Sequence, residues 1–160
     1  MSKISKTPLK TDYRILRESS KQWRSLLSAV VLELKPLNDS SIAYDILQNI
    51  GKRFATQTAL PACNSLAELE ISMCAVWNSM DWGVTVLEEH DGILRIIHHG
   101  ADKGKLIAGS LSNDVSSWIP FFIAGVYQQW FSSMGANEQL KIQVVSTIDE
   151  FGSVEYQLSS

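Results

Sequence analysis

An α+β fold is predicted for this chain of 160 residues: an antiparallel sheet of about four strands, in two hairpins, with four or so helices packed on one side. Three observations predict it. Apolar residues recur at three- and four-residue steps in several separate stretches, the period of half-buried helices. Two other stretches alternate at period two and are joined by turn residues, the signature of hairpins. No strand–helix–strand alternation of the parallel kind links them. At 45% hydrophobic residues, a chain of this length can fill one core.

From the start, residues 1–16 read as a flexible basic tail carrying Lys3, Lys6, Lys10 and Arg14 against Asp12. Residues 17–160 read as one domain. Between Gln22 and Leu34, the residues Trp23, Leu26, Leu27, Val30, Val31 and Leu34 share a helical face, and Lys35-Pro36 stops that helix. Asn38-Asp39-Ser40 opens the next, whose stripe is Ile42, Ile46, Leu47, Ile50 and Phe54. Connections this short predict antiparallel packing of the two.

The stretch Gly51–Gly83 is the expected centre of the fold. It ends one helix, breaks at Leu60-Pro61 and restarts a second, with Asn64 and Ser65 as the capping candidates and Ser65 and Glu68 at the spacing of a capping box. Leu66, Leu69, Met73, Val76, Trp77 and Met80 form the stripe of that helix, against which the other segments are expected to pack. Trp82–Glu89 alternates as a strand, His90-Asp91-Gly92 signals a hairpin, and Ile93–His98 returns. Gly100–Asn113, with three glycines, reads as a surface loop. Asp114 or Ser116 caps a helix to about Met134, ended by Gly135-Ala136-Asn137. Strands over Leu140–Ile148 and Val154–Leu158, joined by an Asp149–Gly152 turn, complete the chain.

Composition narrows the function. A net charge of −3 gives no reason to expect nucleic acid or an anionic membrane as partner. The apolar run Ile119–Tyr127 is about half the length of a membrane span. The first ten residues lack the apolar core of a signal peptide, so a cytoplasmic protein is expected, with the periplasm as the alternative. Cys63 and Cys74 flank about 16 Å of helix, beyond the roughly 7 Å a disulfide allows, and so should be reduced.

Catalytic patterns are thin. His98 and His99 are neighbours on a strand and point to opposite faces, and His90 lies at the far end of that strand. They do not form a metal site, and no metal or cofactor is expected. One histidine should be buried and hydrogen-bonded while the other faces water. Gly100–Lys105 is one residue short of a phosphate loop and is followed by Leu106 where Ser or Thr must hold magnesium. Glu88, Glu89 and Asp91 cluster at a hairpin tip, and nothing places Asp81 opposite Glu88 as a glycosidase pair would require. No enzyme activity is expected.

Aromatic residues crowd the last helix. Trp118, Phe121, Phe122, Tyr127, Trp130 and Phe131 cover most of its circumference, a wider stripe than one core face needs. Burial by the chain's own sheet and by another copy is the expectation, which makes these six the oligomer-interface candidates.

The ordered series G-x-R-F, P-x-C-N, N-x-M-D-W-G, Arg95-Ile96-Ile97-His98, Trp118-Ile119-Pro120 and Gly125-Val126-Tyr127-Gln128-Gln129-Trp130 resembles the bacterial cellulose synthase D family. The likeness runs from about Leu47 to Gly135. It implies a non-catalytic accessory component that assembles as an octamer, a tetramer of dimers, whose passages take nascent β-1,4-glucan chains. It also implies a proline-rich companion protein and the cellulose synthase complex as partners. The motif positions Arg53, Phe54, Pro61, Cys63, Asn64, Trp82, Gly83, Arg95, His98 and Trp118 are matched, and fold maintenance is their expected role. The segment Met1–Arg14 has no clear match to the family pattern, so no glucan-contacting residue is carried over. Lys3, Lys6 and Lys10 are the candidates for lining a glucan passage, each bond contributing about 0.5–1.5 kcal/mol. The alternative is a sensor of the vinyl-reductase type with a closed apolar pocket, to which the order of elements is similar.

Overall fold

The computed structural model describes residues 40–101 and 113–160, together with Val30. Helix α1 is Ser40–Gln57 and helix α2 Leu66–Ser79. Strands β1 (Val84–His90) and β2 (Ile93–His99) follow, then helix α3 (Asn113–Ser133) and strands β3 (Lys141–Val144) and β4 (Val154–Ser159). The expected tail, the expected helix over Gln22–Leu34 and most of the expected loop over Gly100–Asn113 lie outside the described residues. Asp39–Ser160 forms one compact unit.

Local chemistry explains the boundaries. Ser65 caps α2 by accepting the Glu68 N–H at 3.2 Å. The Glu68 carboxylate reaches back to the N–H of Asn64 at 2.8 Å, so the box closes one residue earlier than the standard arrangement. Asp91 and Gly92 both take positive φ, 51° and 76°, as a two-residue turn between right-twisted strands requires.

The four described strands form one antiparallel sheet in the order β1-β2-β4-β3, so the predicted α+β class holds. Strand β3 is shorter than predicted. Beyond Val145 the Ser146 hydroxyl accepts the Glu155 N–H at 2.9 Å, taking the place of a ladder carbonyl. Alternate residues Thr85, Leu87, Ile96, His98, Val154, Tyr156 and Leu158 are buried on the inner face.

The centre of the fold is α3, not α2. Trp77, Trp130, Tyr127 and Tyr156 are fully buried between α3 and the sheet, with Met73, Ile96, Ile123 and Val126 around them. Helix α1 crosses α3 at two glycines. A Cβ on Gly51 would lie 2.0 Å from the Phe122 carbonyl oxygen, and one on Gly125 2.1 Å from that of Gln48. Only hydrogen fits at both positions, and the backbones touch there. Pro120 lies inside α3, so the helix lacks one backbone donor at the start of its third turn.

Candidate functional site

Tyr127 points from α3 into the inner face of the sheet and ties three elements together. Its hydroxyl is 2.6 Å from His98 Nδ1 and 2.6 Å from Thr85 Oγ1. His98 Nε2 lies 2.9 Å from the Trp82 carbonyl, which can only accept. The chain of donors follows: Nε2–H donates to Trp82, Nδ1 accepts from Tyr127, and Thr85 donates to the Tyr127 oxygen. Trp77 lies edge-on to the imidazole at 4.8 Å.

Burial keeps this cluster uncharged. Desolvation lowers His98 from 6.5 to about 4, against the opposing bond to Trp82. Burial likewise pushes Tyr127 above the ordinary tyrosine range, the Thr85 bond opposing, and raises Tyr156 with the Tyr127 hydroxyl adding to it. Both nitrogens of His98 are engaged and neither reaches water. His98 therefore pins α3 to β1 and β2 and holds no proton for exchange with a substrate. One of the two histidines was expected to face water, and it is His99, with Nδ1 2.9 Å from the Ser153 hydroxyl.

Helix side chains bond part of both outer edges of the sheet. Along β1, the Glu70 carboxylate accepts the Leu87 N–H at 2.7 Å. One turn on, Cys74 Sγ accepts the Thr85 N–H at 3.3 Å, and its S–H lies 3.1 Å from the Thr85 carbonyl. Along β3, the Gln128 amide donates to Leu140 O at 3.0 Å and accepts the Ile142 N–H at 2.8 Å, as a neighbouring strand would. These bonds occupy the edge groups of Thr85, Leu87, Leu140 and Ile142 and so oppose strand addition there. Sequence reading missed all three, although Gln128 is a polar residue inside an apolar stripe and so carried a signal.

The six aromatic candidates divide. Tyr127, Trp130 and Phe131 are buried in the chain's own core, and the Trp130 indole donates to Thr58 O at 3.0 Å. They offer no surface to another copy, which corrects the expectation for these three: α1 and the sheet already cover both sides of α3. Trp118, Phe121 and Phe122 are partly exposed. Phe121 stacks on Tyr44 at 3.7 Å and Phe122 on Trp82 at 5.2 Å. Lys3, Lys6 and Lys10 lie outside the described residues.

Of the other matched motif positions, Phe54 packs against Trp77, Trp82 and Phe122. Gly83 takes φ 89°, and a Cβ there would fall 1.9 Å from His99 O. Arg95 binds Glu88 at 2.9 Å and Glu155 at 2.6 Å on the outer sheet face. Cys63 and Cys74 are free, half-buried thiols. Among the described residues, no three His, Cys, Asp or Glu gather as a metal site would need, and no helix is long and apolar enough to cross a membrane.

Residues 9–157 match the family of the D subunit of cellulose synthase. The chain belongs to that family. It is 25% identical over 109 residues to a cellulose synthase operon protein D of Komagataeibacter xylinus, covering 67% of each chain. A protein of the same name from Komagataeibacter sucrofermentans is 24% identical over 109 residues, again 67% of each. In this member of the cellulose synthase D family, the matched positions Phe54, Trp82, Gly83 and His98 all serve the packing of the core.

Proposed function

We propose that the chain is a non-catalytic accessory component of bacterial cellulose synthesis, which assembles with copies of itself and helps order β-1,4-glucan chains as they leave the synthase. The observation that carries this reading is the family match, which spans residues 9–157. The site supports it: the buried His98, Tyr127 and Thr85 bond to one another and to backbone, and hold the fold. The space between α3 and the sheet is occupied by Trp77, Trp130, Tyr127 and Tyr156, which favours a scaffold over the vinyl-reductase type of pocket. The cellulose synthase complex and a proline-rich companion protein are its proposed partners. Two free thiols suit a cytoplasmic location.

The test is light scattering on the purified chain, with cellulose crystallinity in cells lacking it. Assemblies larger than a dimer and disordered cellulose without the protein are expected. A monomer at micromolar concentration removes the scaffold. Deleting residues 2–11 should preserve assembly and lower glucan binding.

A further inference from the structure

The scaffold reading requires a contact between copies, and several parts of the described surface are poorly suited to one. Strands β1 and β3 are capped by Glu70, Cys74 and Gln128. The inward residues of α3 are covered by the chain itself. On the open face of the sheet, Arg95 is already paired with Glu88 and Glu155. Helix α2 exposes Ile71 between Ala67 and Ala75, and the Glu68 carboxylate beside it is already bonded to the Asn64 N–H.

Helix α1 differs. Ala43, Gly51 and Ala55 are buried toward α3, while Ile42 and Ile50 remain 48% and 46% exposed, with the half-buried Ile46 between them. Beside this row run Asp45, Asn49 and Arg53, all exposed and spaced by four. Neither Asp45 nor Arg53 makes an ion pair among the described residues. The two opposite charges are eight residues apart, about 12 Å along the helix. An apolar row with one charge of each sign at its ends is complementary to its own antiparallel copy.

We propose that the outward face of α1 is a two-fold contact with a second copy of this chain, with Ile46 and Ile50 near the axis and Asp45 of each copy paired with Arg53 of the other. An axis near Asn49 sets residue 45 opposite 53 and residue 53 opposite 45, so each pair forms twice. A parallel arrangement would set like charges together, and the charges thus choose the direction. Lys52 adds to the positive end. This inference rests on the assembly proposed above and assigns one of its interfaces.

Charge exchange on the full chain tests it. By sedimentation, D45R and R53D should each raise the dissociation constant of the α1 contact by about tenfold or more, because each sets like charges opposite in both halves. The double variant D45R/R53D should recover assembly to near the unaltered chain. Both altered positions are exposed, and circular dichroism should show unchanged folding. If the unaltered chain assembles and both single variants assemble equally well, the α1 contact is overturned while the scaffold stands, and the row falls to the chain's own expected helix over Gln22–Leu34. If I71D dissociates the assembly where R53D does not, the contact belongs to α2 and the inference falls. A monomeric unaltered chain removes both.

Discussion

Helices α1 and α3 pack against each other through Gly51 and Gly125, yet they use their apolar residues differently. Every large side chain of α3 from Ile123 to Phe131, apart from Gln128 and Gln129, is buried by α1 on one side and by the sheet on the other. Helix α1 is covered on one side and leaves Ile42 and Ile50 facing outward. Apolar circumference in a sequence measures how much cover a helix needs. It does not say whether the same chain or another provides it.

The largest effect should come from the shared crossing. Gly125→Val places a side chain where the Gln48 carbonyl lies 2.1 Å from the Cβ. Parting the helices opens the packing around Trp130, at a cost of about 3–5 kcal/mol read by urea unfolding. On the outward face of the same pair, Ile50→Ala should change monomer stability by only about 0.5 kcal/mol. Equal losses at the two positions would mean that α1 has no free side.

Next in size is acid sensitivity of the cluster that anchors α3. His98 is lowered to about 4 in the folded chain from the ordinary 6.5, so the unfolded chain binds the extra proton between those values. Stability is therefore full above pH 6.5 and falls as pH drops toward 4, by about 3 kcal/mol in all. In His98→Gln that fall should be missing from the stability–pH curve, although the variant starts lower. His99→Gln, on the outer face, should retain it.

Smaller again are the strand caps. Gln128→Leu strips the partners from Leu140 O and Ile142 N–H and should cost about 1–3 kcal/mol. Concentration-dependent aggregation should accompany it, because a bare edge recruits other strands. Arg95→Gln should have the least effect. Its guanidinium is exposed, and any change in melting temperature should vanish in molar salt.

Legibility followed distance along the chain. The Ser65–Glu68 cap, the Asp91-Gly92 turn and the opposite fates of His98 and His99 were readable, since each depends on neighbours within a few residues and on strand alternation. The glycines at the helix crossing carried no local signal, for what excludes a side chain at Gly51 is the carbonyl of Phe122. Glu70 looked like an ordinary polar residue of α2 until Leu87 was placed beside it.

Sequence alone determined the α+β class, the antiparallel hairpins, the helix ends and the family, because periodicity, capping and turn chemistry act over one or two turns of backbone. Tertiary structure decided which helix stands at the centre, which side chains close the sheet, and that Tyr127 belongs to the core. Those outcomes depend on groups as far apart in the chain as Thr85 and Tyr127 meeting at 2.6 Å. No period in either segment encodes that meeting. It arises only when the sheet and α3 close on each other, exclude water, and leave the Thr85 and Tyr127 hydroxyls no partner but each other and His98.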